Sequence, residues 1–122
     1  MKRDMELIRK ILLTIEEQYI DTALYNIKIE GYDLKTIAYH CDIMHEAGII
    51  SDYGASYAED ELYSFGVGHL TWQGHEFLDA AKNDTVWNKA MTVVKEKGGS
   101  VTLDIMKELL GQLMTSLFFP IN

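Results

Sequence analysis

Between positions 33 and 81 the apolar residues are spaced first as in a helix, then as in a strand and then as in a helix again. This pattern constrains the fold more than any other feature of the chain. Three-and-four spacing follows Asp33, a favourable N-cap residue, and stops at Gly48. The apolar positions of this run are Leu34, Ile37, Ala38, Cys41, Met44 and Ala47. The spacing predicts an amphipathic helix over residues 34–47.

The segment after this helix predicts a β-hairpin followed by another helix. Ile49-Ile50 leads into a polar stretch from Ala55 to Glu61, which we expect to form a long hairpin tip. The alternating positions of the return strand are Tyr63, Phe65, Val67 and His69. Thr71 can then cap a helix that runs to about Ala81. The order helix, hairpin, helix is common in winged helix-turn-helix domains, in which the hairpin is the wing.

Outside this segment the chain is predicted to be mostly helical. An apolar stripe follows Asp4 and predicts the first helix. Its members are Leu7, Ile8, Ile11, Leu12, Ile15 and Tyr19. Tyr25, Ile27 and Ile29 alternate with polar residues, which favours a short strand, the alternative being a very short helix between Asp21 and Tyr25. A standard helix-turn-helix has a helix at this point.

The last third of the chain predicts a pair of helices. Asp84 caps the first, Gly98-Gly99 ends it, and Ser100 opens the second, which runs to about Phe118. We therefore expect an α+β, mostly helical protein of one domain. A winged-helix-like core would occupy residues 1–82, and residues 83–122 would be a helical extension.

The final predicted helix carries a broad apolar stripe with coiled-coil spacing. The seam positions are Leu103, Met106, Leu110, Leu113 and Leu117. Such a stripe can pack on the first helix of its own chain, or on a second subunit as well. We expect it to be an oligomerisation element that forms a homodimer.

Three segments of the sequence resemble one known family. They are Met1–Leu12, Ile37–His40 with Glu46–Ile50, and Leu70–Ala81 continuing through Asn83–Trp87. The amino-acid sequence of these segments resembles domain-of-unknown-function family 2513, which is found widely in phages and prophages. The resemblance implies a small phage-type protein and a fold, and it assigns no catalytic residue.

The charge distribution argues against the usual function of a winged helix. From Thr36 to Ala81 the sequence contains eight acids and no Lys or Arg. Non-specific DNA affinity comes mostly from Lys and Arg, which displace counterions from phosphates. A DNA-binding transcriptional regulator that uses helix 34–47 is therefore the alternative rather than the leading hypothesis, since Lys35 is the sole permanent cation of that helix.

The leading hypothesis is a protein-binding module. An acidic face would dock on a basic, nucleic-acid-handling surface of a host protein, and its charge would steer the encounter. Tyrosine is enriched at protein interfaces. The predicted partner-binding residues are Tyr39, Asp42, Glu46, Asp52, Tyr57, Glu59, Asp60 and Glu61. The alternative is a merely solvated acidic face with half-buried tyrosines.

The sequence gives no comparable signal for an enzyme. Cys41 and His45 share a helix face, but two ligands do not make a zinc site, and no orienting group or oxyanion pocket accompanies them. Gly66 and Gly68 lack the setting of a phosphate loop and are expected to ease a bend or bulge in the strand. We expect no catalytic residue, metal or cofactor.

The cysteine content and the hydropathy of the sequence predict the cellular compartment of the protein. Cys41 is the single cysteine, which suits a reducing cytoplasm. No apolar run approaches the ~18 residues of a membrane span, and the charged N-terminus does not read as a signal peptide. We expect a cytoplasmic protein in the bacterial host cell.

Overall fold

The computed structural model describes residues 1–120, and these contain five α-helices and a three-stranded antiparallel sheet. The helices are α1 (Met5–Gln18), α2 (Leu34–Glu46), α3 (Trp72–Ala81), α4 (Asp84–Glu96) and α5 (Leu103–Phe118). The strands are β1 (Leu24–Tyr25), β2 (Tyr53–Ala58) and β3 (Glu61–Val67), in the order β1-β3-β2. The expected α+β, mostly helical class is confirmed.

The described residues form two compact units, the first from Met1 to His75 and the second from Glu76 onwards. The first contains α1, α2, the sheet and the beginning of α3, and the second contains the rest of α3 with α4 and α5.

Local capping signals place α1 and α2 where the sequence predicts them. The Asp4 carboxylate accepts a hydrogen bond from the Leu7 N–H (3.1 Å), and that of Asp33 accepts one from the Thr36 N–H (2.8 Å). Asp33 thus caps α2, and the hydrogen bonds that its carboxylate accepts from Thr36 lower the pKa of Asp33. The two helices pack against each other with their apolar faces buried. Gly48, with φ 76°, ends α2 in the left-handed conformation that favours glycine.

The short strand expected over residues 25–29 is wrong in its position and length. β1 consists of Leu24–Tyr25 and pairs with Val67 and Gly66. It ends because Asn26 turns to φ 51°, where its side-chain oxygen accepts the Phe65 N–H and its own N–H donates to the Phe65 carbonyl, both at 2.9 Å. The alternative of a short helix between Asp21 and Tyr25 is also not observed.

The long hairpin tip expected from Ala55 to Glu61 is likewise wrong. The polar stretch is β2 itself, and the tip is only Glu59 and Asp60, which have φ values of 52° and 67°. Two successive positive φ angles are typical of a type I′ turn, whose twist matches that of the strands. The polarity of β2 misled the prediction because residues 54–58 all face solvent.

The bulge of the hairpin does not lie at Gly66 or Gly68. The register changes between Ser56 and Tyr57, which pair with Ser64 and Leu62 and leave Tyr63 as the extra residue. Gly66 instead permits a close approach, since a Cβ there would lie 2.9 Å from the ring of Tyr25.

Thr71 and the caps of the second unit complete the fold. Thr71 Oγ1 accepts the Gly74 N–H (3.1 Å) at the start of α3, as predicted. Asn83 rather than Asp84 caps α4, and Thr102 rather than Ser100 caps α5, so the predicted starts are off by one and two residues. α4 and α5 pack against each other.

Within residues 1–120, no helix combines the length and apolar character needed to cross a membrane.

Candidate functional site

The exposed face of α2 carries the first group of predicted partner-binding residues. Steps of four, three and four place one set of side chains on a single helix face. This set consists of Lys35 and three of the predicted partner-binding residues, Tyr39, Asp42 and Glu46. Asp42 is half-buried and the other three are exposed, while Ile37, Cys41 and Met44 point into the core. α2 thus presents a polar face with two acids towards its C-terminal end.

An ion pair joins this helix face to the hairpin. Lys35 Nζ lies 2.8 Å from Glu61 Oε2. The hydrogen bond and the charge of Glu61 raise the pKa of Lys35, and those of Lys35 lower the pKa of Glu61. Both groups are exposed, so water screens the pair and its contribution to stability is small. The cation of α2 is nevertheless engaged by a carboxylate of the same surface.

Tyr53 marks the contact between α2 and β2. Its ring is tilted against that of Phe65, with the centroids 6.3 Å apart. Burial raises the pKa of Tyr53 to about 12, and the negative charge of Asp42 adds to the shift. The phenol therefore stays neutral at physiological pH, and Asp42 of α2 lies close enough to Tyr53 of β2 to influence its ionisation.

The remaining predicted residues extend along the hairpin. Glu59 and Asp60 are exposed at the tip, whereas Asp52 lies at the base, where its Oδ2 accepts a hydrogen bond from Ser51 Oγ (3.0 Å). The strand between them spans about 20 Å at ~3.3 Å per residue. We define the acidic surface as the eight predicted residues, Tyr39, Asp42, Glu46, Asp52, Tyr57, Glu59, Asp60 and Glu61. It is an elongated strip on α2 and the hairpin rather than a pocket.

The seam residues of α5 divide into three groups by exposure. Met106 and Leu110 are fully buried within the chain, and Leu103 and Leu113 are half-buried. Leu117 is 50% exposed, and its neighbour Phe118 is 68% exposed. The outer part of the predicted seam is therefore the part that a second subunit could still cover.

Sequence reasoning missed the role of His40, which is buried and hydrogen-bonded at both ring nitrogens. Nδ1 lies 2.8 Å from the Thr36 carbonyl oxygen, which can only accept, so Nδ1 carries the proton. Nε2 accepts the Asp4 N–H at 2.9 Å and so ties the start of α1 to α2. The signal was present in the sequence, because His40 is three residues after Ile37 and four before Met44, on the apolar face.

Tyr32 extends this connection. Its hydroxyl donates to Asp4 Oδ2 at 3.1 Å, and burial together with the Asp4 carboxylate raises the pKa of the phenol. The ammonium of Lys10 lies 5.7 Å from the centre of the Tyr32 ring. Asp4 thus caps α1, accepts from Tyr32 and donates to His40, which is a structural arrangement.

Replacing His40 by phenylalanine should destabilise the protein by about 1–3 kcal/mol. The ring volume is retained, but the Asp4 N–H loses its acceptor and the Thr36 carbonyl loses the bond from the ring. His45→Ala is the matched control, since His45 is exposed on the same helix and surface changes usually stay within about 0.5 kcal/mol. Urea unfolding of both variants measures the difference, and equal midpoints would refute the role assigned to His40.

The pair Cys41 and His45 offers little nucleophilic chemistry. Cys41 is fully buried, and burial raises the pKa of its thiol to about 12, so the thiolate is scarce at neutral pH. His45 is exposed one turn later. Among the described residues, no group of three or more His, Cys, Asp or Glu side chains is placed to hold a metal ion.

Comparison with known proteins places the chain in a family. The profile of a family described as a hypothetical protein, DUF2513, matches residues 2–100. The chain belongs to the DUF2513 family. The resemblance found in the sequence is thereby confirmed, and the DUF2513 match extends from the start of α1 to the end of α4.

A curated relative extends this similarity. An uncharacterized protein from Haemophilus influenzae is 36% identical over 118 residues, which cover 96% of this chain and 98% of the relative. The similarity therefore includes most of α5 as well. No solved structure matches the chain.

Proposed function

We propose that this protein is a non-enzymatic, phage-type winged-helix protein that binds a basic surface of a host protein through its acidic surface, in an anti-defence or regulatory role. The observation that carries this proposal is the charge of α2 and the hairpin. Glu46, Glu59 and Asp60 are exposed, no Lys or Arg lies between Thr36 and Ala81, and Lys35 is paired with Glu61. A strip of this kind favours and steers the approach of a cationic partner.

The arrangement of the first unit supports the winged-helix assignment. α2 is followed by the β2–β3 hairpin and then by α3, and β1 adds a third strand to the hairpin. The hairpin corresponds to the wing and α2 to the recognition helix. The element before α2 is β1 and a turn rather than a helix, which departs from the usual DNA-reading geometry.

The alternative function, DNA-binding regulation by α2, is disfavoured by the same contacts. A recognition helix normally reaches base edges with polar side chains while nearby cations hold phosphates. The face of α2 offers Asp42 and Glu46, which would repel phosphates, and its one cation already has a carboxylate partner.

The protein should therefore show no measurable binding to random duplex DNA at physiological salt. Fluorescence anisotropy of a labelled 20-base-pair duplex, a length of about two helical turns, measures this directly. Micromolar affinity with a steep salt dependence would reverse the order of the two proposals.

Capture of the partner from a host lysate tests the main proposal, with bound nucleic acid assayed in the same sample. The test variant combines Asp42→Asn, Glu46→Gln, Glu59→Gln and Asp60→Asn. The matched control removes four exposed acids elsewhere through Glu17→Gln, Asp21→Asn, Glu30→Gln and Glu108→Gln. We expect the native protein and the control to retain one partner that the test variant loses. Equal recovery by both variants would remove the acidic surface from the binding site.

We further propose that α5 contributes to a homodimer. Leu117 is 50% exposed and lies seven residues after the buried Leu110, so at the coiled-coil period it continues the same seam at a point where the side chain is no longer covered. An exposed seam end of this kind is suited to a coiled-coil contact with a second copy.

A further inference from the structure

The outer edge of β2 is open over residues 53–55, before the register change at Ser56 and Tyr57. β2 is the last strand of the order β1-β3-β2, so β3 is its one neighbour in the described sheet. Residues 54–58 are exposed, and β2 contains no charge and no proline. Natural proteins usually protect such an edge with lysine, proline, a bulge or a covering segment, because an open edge pairs readily with another chain.

The backbone directions of β2 follow from the contacts of its neighbours. Asn26 engages both the N–H and the carbonyl of Phe65 from the β1 side of β3. Phe65 pairs with Ala55, and the ladder groups of an antiparallel pair alternate in direction. The N–H and carbonyl of Ala55 therefore point away from β3, towards the open edge.

The same reasoning applies to Tyr53. The Asp52 carbonyl accepts the Gly68 N–H at 3.0 Å, so Asp52 faces β3 and the next residue, Tyr53, faces outward. Tyr53 and Ala55 together offer two donors and two acceptors at the regular end of β2, before the register change at Ser56 and Tyr57. This is the pattern that an added strand uses.

The charges around the edge identify the kind of strand that fits. Asp52 lies at one end of β2 and Glu59 and Asp60 at the other, while Asp42 of α2 lies near Tyr53. Antiparallel pairing with β2 of a second copy would bring the Asp52 end against the Glu59 end of the partner. Like charges placed opposite one another are destabilising, so charge disfavours a self-pairing. A cationic strand meets opposite charge at both ends.

The outer face of the sheet leaves room for the side chains of an added strand. A shallow depression of about 400 Å³ lies beside the edge. Its floor includes Gly54, Ser64 and Gly66, and the ring of Tyr25 lies over Gly66. The small side chains of these three residues leave the depression open, and the exposed ring of Tyr25 offers an apolar surface that can also bind a cation.

We propose that the outer edge of β2 binds an extended, lysine- or arginine-containing segment of a partner protein as an additional strand of the sheet. The inference rests on the proposed function and names the form in which the acidic surface recognises its partner. Backbone hydrogen bonds to Tyr53 and Ala55 set the alignment, and the flanking acids select a cationic sequence.

The test uses the full chain labelled with ¹⁵N and a defined probe, an eight-residue peptide of alternating lysine and valine. At low salt, we expect the probe to shift the amide resonances of Tyr53 and Ala55 and to slow their hydrogen exchange about tenfold or more, as new hydrogen bonds form. The amides of Gly54 and Ser56 already face β3 and should change little. A peptide of alternating glutamate and valine should not bind.

Two modifications separate strand addition from simple charge attraction. Ala55→Pro removes an outward N–H without breaking the β2–β3 ladder, because proline is tolerated at such edge positions, and it should weaken probe binding about tenfold. A probe with N-methyl groups on alternate residues should lose binding to the unmodified protein as well, which keeps the test valid if Ala55→Pro disturbs the fold.

The outcomes distinguish this inference from the proposed function. Probe-induced shifts at Asp42, Glu46, Glu59 and Asp60, with Tyr53 and Ala55 exchange unchanged, would overturn strand addition and leave the acidic surface as a binding site. Equal affinity of the N-methylated probe would also overturn it. Absence of any shift at millimolar probe and low salt would contradict both proposals.

Discussion

Replacing Gly74 by alanine should destabilise the protein by about 2–3 kcal/mol, because the added methyl group has no room. A Cβ at this position would overlap the carbonyl oxygen of Ile49 and lie 3.1 Å from its carbonyl carbon. These are backbone atoms, which cannot move aside as a flexible side chain can. Thr71 holds the two segments together, since its N–H donates to the Ile49 carbonyl (3.2 Å) and its hydroxyl to that of Gly48 (2.6 Å).

Gly111 provides the matched control for this substitution. It lies inside α5, and a Cβ there would meet no atom within 4 Å. Alanine has the higher helix propensity, so Gly111→Ala should stabilise the protein by about 0.5–1 kcal/mol. Thermal unfolding of both variants gives the comparison. A Gly74→Ala protein as stable as the native one would show that α3 does not approach residue 49 so closely.

Replacing Leu110 by glutamate should destabilise the protein by about 3–5 kcal/mol, because the substitution removes a buried apolar side chain and places a carboxyl group in its site. Leu110 is only 1% exposed, on the face of α5 that is buried together with Met106. We expect loss of the cooperative unfolding transition or a large decrease in its midpoint, measured by circular dichroism.

Leu117→Glu separates the oligomerisation proposal from folding. Leu117 is 50% exposed, so the charge can reach water and the fold should survive. If α5 forms a dimer through the exposed end of its seam, the native protein should sediment as a dimer and the Leu117→Glu variant as a folded monomer. A native protein that sediments as a monomer at high concentration would contradict the dimer. A native dimer that Leu117→Glu leaves intact would exclude the outer part of the seam.

The sequence predicts the helices well because their signals are local. Asp33 and Thr71 cap the helices that they are predicted to cap, and α1 begins directly after Asp4, where the apolar stripe predicts it. A cap and a three-and-four apolar period act within one or two turns, so they do not depend on distant residues. The starts of α4 and α5 differ from the prediction by one and two residues, because the side chains that accept the capping hydrogen bonds are those of Asn83 and Thr102 rather than those of Asp84 and Ser100.

The errors arise where a distant contact decides the structure. β2 reads as a loop because its outer residues are small and polar, and it becomes a strand through its pairing with β3. β1 ends at Asn26 because that side chain binds Phe65, 39 residues away in the sequence. The helical period places His40 on the apolar face of α2, but its hydrogen bond with the Asp4 N–H joins residues 36 positions apart. No local pattern encodes these three contacts.

The candidate site likewise has some features that the sequence predicts and others that depend on the tertiary structure. Exposure of the acids on α2 and the hairpin tip follows from residue type and helical period, both readable in the sequence. The Lys35–Glu61 ion pair and the open edge of β2 require the tertiary arrangement of α2 and the hairpin. The structure therefore keeps the helical part of the predicted acidic face on α2 and replaces its expected long loop by a strand with a short turn.

The most direct test of the central claim is the association rate of this protein with its captured partner as a function of salt concentration. Stopped-flow measurements would compare the native protein, the four-charge acidic-surface variant and the four-charge control. Electrostatic steering acts mainly on association. We predict that the acidic-surface variant associates about tenfold more slowly at low salt and with a flatter salt dependence, while its dissociation changes less and the control resembles the native protein. An association rate that is the same in all three proteins at every salt concentration would contradict the account.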